Sequence, residues 1–455
     1  MQEQPFWQTE TQALYPILRG RRNADAVIVG GGFSGLHIAY WLCKAGLRVI
    51  LLEAGALGSG ASGRCAGIVT QTHGTLFSHM ERLFPREVGQ AYAQTQQAAM
   101  QSLRELASQQ AMDSGWQDMD AFLVAGDEKE SALLREEGAA MARAGFPGTL
   151  TQSTQCPLPA RLALHVHGQA TFHPQSYLLS LAESAARMGL LIFENSRVSS
   201  LEANMVYTQR GSVLAPYMVI ATGYPLINTP GWYFLRMYQR NSYLLPIDDE
   251  GAYDGLYLDM ADRFSLRRYR DGSLFSMRGE RVGTRVREHP VQAFAASYGA
   301  SFENHLPSVA YGGIDAYTAD GLPYIGPYSQ KTPNIFVAAG YAHHGVLHSV
   351  VAAQAISAKI LGLPNDGYSI YSGQRGGKAL WRADAKIAAA WAGRYLQGIL
   401  RLHAPRCSHM GCKLVYRPGT KSWECPCHGS RYDNIGRVLN APAVYDTPIR
   451  HKRKG

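Results

Sequence analysis

Two short stretches near the C-terminal end gather the side chains most able to do chemistry: Cys407-Ser408-His409-Met410-Gly411-Cys412 and Cys425-Pro426-Cys427-His428-Gly429-Ser430. The first holds a Cys-x-His pair and the second a Cys-x-x-His pair, each in a short turn. Together they present two soft thiolates and two imidazoles. Such a set suits a tetrahedral zinc site. It also suits a [2Fe–2S] centre in which Cys407 and Cys425 hold one iron while His409 and His428 hold the other. Imidazoles are neutral where thiolates are anionic, so a cluster ligated this way is more easily reduced than an all-cysteine one.

Ligand softness alone does not separate iron–sulfur from zinc; the flanking residues do. Ser-His-Met-Gly-Cys and Cys-Pro-Cys-His-Gly-Ser resemble the two cluster loops of Rieske proteins almost residue for residue. That resemblance implies a [2Fe–2S] cluster and a Cys412–Cys427 disulfide tying the two loops together. It also implies hydrogen bonds from Ser430 and Tyr432 to cluster and ligand sulfurs, as in the high-potential members. The other three cysteines, Cys43, Cys65 and Cys156, are scattered and read as reduced thiols. A bridge beside them would be an exception to the reduced state of cytosolic cysteines.

The opposite end of the chain carries a second chemistry. Ala26-Val27-Ile28-Val29 is an unbroken apolar run, as in a strand buried on both faces, and it leads into Gly30-Gly31-Gly32-Phe33-Ser34-Gly35. A helix-like segment, Leu36 to Ala45, and a second strand, Arg48 to Leu52, follow and close at Glu53. In such a βαβ unit Gly30 makes the tight turn, Gly32 lets backbone approach a pyrophosphate and Gly35 lets helix and strand pack closely. The helix N-terminus, at Phe33 and Ser34, faces the phosphates. Glu53 and the adjoining Ala54 stand where an acidic residue accepts hydrogen bonds from an adenosine ribose.

These residues alone do not choose FAD over NAD. The next loop, Gly58-Ser59-Gly60-Ala61-Ser62-Gly63-Arg64-Cys65-Ala66-Gly67, resembles the flavin-contacting loop of the D-amino-acid oxidase-like flavoenzymes, which include glycine and sarcosine oxidases. Further matches follow in that family's order. His173-Pro174 opens a helix-like stretch, and Leu191 to Glu194 with Val198 is similar to the strand that clasps adenine. Val219 to Gly223 resembles the return to the pyrophosphate, with Thr222 and Gly223 at its end. Asp320 to Gly326 and Gly340-Tyr341-Ala342-His343-His344-Gly345 look like the closing motifs near the isoalloxazine. The resemblance covers about residues 20–362 and implies bound FAD touching Ser62, Arg64, Cys65, Ala66, Gly340, His344 and Gly345. Cys65 replaces an asparagine common among relatives, which puts that contact in question. Residues 306–326 hold no cysteine to attach the flavin, so non-covalent FAD is expected.

These sites require particular elements around them. Residues 1–370 read as an α/β unit: a Rossmann-like dinucleotide domain joined to an antiparallel β substrate domain whose sheet spans about residues 224–317. Residues 73–145 read mostly as amphipathic helices, with a strand from Trp116 to Val124. Residues 371–400 form a linker and a docking helix, in which Ile387, Trp391, Tyr395 and Ile399 recur at four-residue steps as one apolar stripe. Residues 401–455 are a small all-β Rieske lobe, short of the strands such a domain usually carries before its first loop. Arg267, Arg268, Arg278 and Arg281 crowd the substrate sheet; Arg278 and Arg281 are the candidate anchors for a substrate carboxylate. No general base stands out, and His343 and His344 either face the flavin or cap their turn.

Composition bounds the function classes. With 455 residues, 46% hydrophobic and 17% charged, the chain is long enough for two or three folded domains. It has no apolar run of about 18 to 20 residues for an integral membrane segment and no apolar core for a leader in Met1 to Arg22; a cytoplasmic location is expected. The net charge of +9 is spread out, with a local excess at Arg450 to Lys454. That tail is either solvated or steers an acidic electron-transfer partner. No basic and aromatic module accompanies it, which argues against nucleic acid. The expected function is FAD-dependent oxidation of the C–N bond of an amine or amino acid, with electrons leaving through the cluster to an external acceptor protein. The alternatives are a reductase or monooxygenase-type flavoprotein fed from a donor through the cluster, and a non-catalytic redox relay or sensor.

Overall fold

The structure is a computed structural model, and it describes residues 6–7, 14–109, 114–227, 230–251, 253–284, 289–376, 378–399, 405–417 and 421–449. The basic tail lies outside these residues, as does the side chain of Ile399.

Ala26–Val29 is buried at all four positions, which is why its sequence shows no polar alternation. It lies parallel between Val49–Leu52 and Tyr217–Gly223 at the centre of a six-stranded sheet. Leu191–Phe193 extends that sheet in parallel beyond Val49–Leu52. Thr332–Ala339 extends it on the other side, where Tyr324–Ser329 adds an antiparallel edge. The helix Phe33–Lys44 packs against the helix Gly345–Ile360 on this sheet, so both glycine loops enter helices at the same end of the domain. This is the doubly wound arrangement expected for the dinucleotide unit.

The substrate domain is a nine-stranded sheet, antiparallel except where Leu256–Asp259 runs parallel to Gln117–Ala125. Its order begins Tyr311–Thr318, Met237–Ile247, Gly272–Arg281, Phe264–Tyr269 and Leu256–Asp259, then crosses into Gln117–Ala125, Leu162–Thr171 and Ile68–Val69. The sheet therefore draws strands from both halves of the chain. The strand expected from Trp116 to Val124 is present as Gln117–Ala125 and sits in the interior of this sheet.

Ser372 to Gly377 reads as a linker but is firmly held at Arg375. The Arg375 guanidinium grips the buried Asp320 carboxylate at 2.6 and 2.8 Å and donates to the Pro323 and Ser372 carbonyls at 3.0 and 3.1 Å. Burial alone would raise the Asp320 carboxyl; the guanidinium beside it overrides this and holds it below the usual carboxylate range. Removing one partner of so buried a pair costs about 3 to 5 kcal/mol. The helix Lys378–Ile399 then leads to four short antiparallel strands in chain order: Val415–Arg417, Ser422–Glu424, Arg431–Tyr432 and Val438–Asn440. All four strands follow or lie between the cysteine loops, so the lobe is supported from behind them rather than in front.

Candidate functional site

Two cradles and a cleft are built from these elements. In the first cradle Gly30 has φ +113, and any Cβ there would collide with the Ala221 carbonyl, so only glycine lets the two strand ends come this close. Ser62 Oγ accepts from the Phe33 N–H at 3.0 Å and fixes the second loop over the helix start beside Gly32 and Ser34. Ser34 Oγ in turn meets Tyr341 Oη at 2.8 Å, joining the Gly30 loop to the Gly340 loop. Glu53 accepts from the Gly31 and Gly55 N–H groups at 2.7 and 2.8 Å. Burial raises its carboxyl above the ordinary range against the pull of those bonds. A carboxylate has about four acceptor positions, so two remain for a ribose. Thr222 Oγ1 donates to the Tyr224 carbonyl at 2.6 Å and turns the chain out of its strand at Gly223. Val198 starts the strand Val198–Glu202 of a separate sheet and is buried in one core cluster with Val29, Leu52 and Ile220. Phosphate-facing amides, an acidic ribose acceptor and close backbone approach together fit a dinucleotide.

The cleft lies between this cradle and the substrate sheet. Arg64, Cys65 and Ala66 line one wall, Asp262 and Arg278 the other, with Asp315, His343 and His344 at its floor. Arg64 reaches across it to the Gly312 carbonyl at 2.5 Å, linking flavin loop and substrate sheet. Burial pushes the Cys65 thiol up to about 11, so it is a neutral donor, to the Ser62 carbonyl at 3.3 Å. Arg278 stands in the cleft, 3.2 Å from Asp262. Arg281 corrects the expectation of a second anchor: its guanidinium stacks over the Tyr238 ring at 4.6 Å, and it does not line the cleft.

Sequence reading missed Asp262, Asp315 and a buried group behind His344. The His344 ring lies 3.9 Å from that of His73, which lies 5.0 Å from that of His348. Tyr92 Oη bonds both His73 and His348. Burial, and then the neighbouring histidines, hold His73 and His344 well below the usual imidazole range. The only signal available was the doubled histidine before Gly345.

The second cradle repeats one turn twice. The Gly411 N–H donates to the Cys407 carbonyl at 2.8 Å, and the Gly429 N–H to the Cys425 carbonyl at 3.0 Å. These turns bury Cys407, Cys425 and His428 and set the His409 and His428 rings at 87° with centroids 5.1 Å apart. Tyr432 Oη donates to Cys407 Sγ at 3.2 Å, and the Ser430 hydroxyl accepts from the Ala443 N–H at 3.0 Å. Neither ring nitrogen of His428 has a hydrogen-bond partner although both are buried. Burial keeps this ring neutral, as a metal ligand must be. Two thiols and two imidazoles, one of them with both ring nitrogens buried and unpartnered, fit a metal cluster. The expected Cys412–Cys427 bridge is not formed: both are free thiols. Their sulfurs lie within 4.8 Å of each other and of Cys425 Sγ, so a third sulfur shares the space between the loops.

The lobe is docked on the flavin domain by its ligand side. His428 lies against Phe234 and Trp391, with ring centroids 5.7 and 5.9 Å away, and near Tyr224 at 6.3 Å. Arg394 of the long helix donates to the Pro426 carbonyl at 2.8 Å and the Val282 carbonyl at 3.2 Å, bridging the two domains. Gly283 has φ +83, and a Cβ there would run into the Pro426 backbone. Glu424 accepts from Gly283 N–H at 3.1 Å and from Arg417 at 2.8 Å, and Arg417 also donates to the Thr284 carbonyl at 2.9 Å.

Fold and site together define a flavin-dependent oxidoreductase carrying its own iron–sulfur centre. The chain belongs to the FAD dependent oxidoreductase family, whose family model matches residues 25–359, and a Rieske [2Fe-2S] domain matches residues 373–449. It is 27% identical over 96% of both chains to YhfW of Bacillus subtilis (strain 168), which is named as a Rieske 2Fe-2S iron-sulfur protein. The crystal structure of glycine oxidase from Geobacillus kaustophilus superposes with a TM-score of 0.64 at 21% identity, covering 78% of this chain and all of that one. The cluster loops are 42% identical over 45 residues, 10% of this chain and 25% of the other, to the cytochrome b6-f complex iron-sulfur subunit of Prochlorococcus marinus (strain NATL1A). The cofactors are FAD and a Rieske [2Fe–2S] cluster. Among the described residues no helix is long and apolar enough to cross a membrane.

Proposed function

We propose that the chain oxidises the C–N bond of an amine or amino acid at the flavin and passes the electrons through its own cluster to an external acceptor. Bound FAD supplies the two-electron oxidation and the cluster one-electron transfer; the protein supplies position and exclusion of water. Gly30, Gly32 and Gly35 would admit the pyrophosphate, Glu53 the ribose, and Ser62 to Ala66 the flavin ring system. Cys407, Cys425, His409 and His428 would ligate the irons. Arg278, one of the arginines lining the cleft, would meet a substrate carboxylate. Relatives named glycine oxidase, 26% identical over 71% of this chain, and gamma-glutamylputrescine oxidoreductase support an amine or amino-acid substrate.

The observation that carries the electron path is the docking of His428 onto Phe234, Trp391 and Tyr224. Tyr224 directly follows the strand Tyr217–Gly223 that ends in the dinucleotide cradle. A ligand imidazole therefore abuts the flavin domain, and it is 2% exposed. Anaerobic titration of the purified protein with a panel of amines and amino acids tests the reading. Flavin bleaching together with the paramagnetic signal of the reduced cluster is expected. Bleaching with the cluster left oxidised overturns the path, and no bleaching by any member overturns the substrate class.

A further inference from the structure

The Asp315–His343 pair lines the cleft and is not among the residues assigned above to either cofactor. His343 Nδ1 lies 3.1 Å from Asp315 Oδ2, and both side chains are about four-fifths buried. The opposite nitrogen, Nε2, is buried with no hydrogen-bond partner, and the ring lines the cleft. An ionised Asp315 can only accept, so Nδ1 carries the proton and Nε2 presents its lone pair to the enclosed space.

The backbone around the pair is held at unfavourable angles. Ala342 and His343 are consecutive non-glycine residues at φ +48 and +72, and Asp262 opposite has φ +57. L-residues resist that region, and such conformations cluster at functional sites. The Ala342 N–H donates to the Ala316 carbonyl at 2.9 Å, which fastens the loop to the strand that carries Asp315. Histidine and aspartate are thus fixed to one rigid strand.

We propose that His343, oriented by Asp315, is the catalytic base that takes a proton from the bound substrate ammonium. The N–H bond breaks, the proton bonds to Nε2, and the electron pair stays on the substrate nitrogen as the free amine. No electron leaves the substrate in this step. The imidazolium shares its charge with Asp315 and returns the proton to water when product departs. This rests on the amine reading of the cleft.

Polar and titratable groups face His343 from several elements. Asp315 and Tyr317 face it from Tyr311–Thr318, with the Tyr317 ring 5.7 Å away. Asp262 faces it from the turn before Phe264–Tyr269, paired there with Arg278. His344, next in the chain, is kept neutral by burial and lies against His73, so it is not the acceptor.

The test uses the holoenzyme with FAD and cluster contents checked in each variant. Flavin bleaching by the most reactive amine is followed by rapid mixing across pH, and in parallel the flavin spectral shift on binding tert-butylamine, which has no hydrogen to lose at its α-carbon. In the unsubstituted protein both should rise with pH through one shared step. His343→Gln should lower the bleaching rate about 100-fold and abolish the step in tert-butylamine binding. Asp315→Asn, which removes a carboxylate from the imidazolium, should move the step to lower pH; it carries the test alone if His343→Gln loses FAD. If amines bleach the flavin and both variants keep the original step, the proposal fails while the amine reading stands. If no amine bleaches it, the amine reading fails first.

Discussion

Arg394→Leu should loosen the cluster lobe from the flavin domain without unfolding either. The leucine keeps an apolar stem on the helix but removes the guanidinium that donates to the Pro426 and Val282 carbonyls at 2.8 and 3.2 Å. One nitrogen serves both acceptors, and the side chain is half-buried, so the pair counts as little more than one charge-assisted bond, about 2 kcal/mol. At about 1.4 kcal/mol per factor of ten, that shifts the ratio of docked to undocked lobe roughly 30-fold. The remaining contacts of Glu424 and Arg417 with Gly283 and Thr284 keep the docked form dominant. The expected result is slower reduction of the cluster after substrate is mixed in, an unchanged rate of flavin bleaching, and faster amide hydrogen exchange at residues 282–284 and 424–429. Equal exchange in the two proteins would refute the claim that Arg394 clamps the interface. Faster exchange with unaltered cluster reduction would refute the claim that docking sets the electron path.

Purified protein should contain one FAD, two irons and two acid-labile sulfides per chain, and Cys407→Ser should remove the cluster's spectrum while flavin absorbance persists; zinc after anaerobic purification would contradict the ligand assignment. Tyr432→Phe removes the donor 3.2 Å from Cys407 Sγ and should lower the cluster potential in a redox titration read by electron paramagnetic resonance, since such bonds favour the more negative reduced form. Ser430→Ala should act in the same direction, and unchanged potentials in both would show that neither hydroxyl tunes the cluster. Glu53→Gln replaces a carboxylate that accepts from two backbone N–H groups with an amide that can accept at only one oxygen, so FAD retention on dialysis should fall by about tenfold or more; full retention would detach Glu53 from the cofactor.

Much of the architecture was legible because it obeys local rules. The strand Ala26–Val29, its glycine turn and Glu53 occur in sequence order, and each is a short-range signal. The cysteine loops were readable for the same reason: all four ligands sit in two six-residue windows. The nine-stranded sheet was not, because Gln117–Ala125 meets Leu256–Asp259 in parallel across more than a hundred intervening residues, and nothing local encodes that pairing. Arg281 was misplaced by a related limit. Composition marked a crowd of arginines on one sheet, whereas tertiary packing, such as the Tyr238 ring under Arg281, decides which of them reaches the cleft. Asp315 and Asp262 went unseen because an isolated aspartate in a β-rich stretch has no pattern; only the fold brings them to His343.

The two domains also constrain each other's sequences. Gly283 ends the substrate sheet's loop at a point where Pro426 backbone occupies the space of a side chain, and Gly429 leaves no room for a Cβ beside the Gln239 amide. One glycine lies in the flavin unit and the other in the cluster loop; each stands at positive φ, +83 and +85, and each also meets the other domain. Gly283→Ala therefore discriminates between a fixed and a mobile cluster: φ +83 alone strains an alanine by about 1 to 2 kcal/mol, and contact with the Pro426 backbone adds to it only if the docked state is the one the protein occupies in solution. A loss of stability at the strain value alone would mean the lobe spends its time undocked. A larger loss, accompanied by slower cluster reduction, would mean that the flavin domain is the cluster's permanent neighbour and that the external partner must approach from the half-buried His409 side.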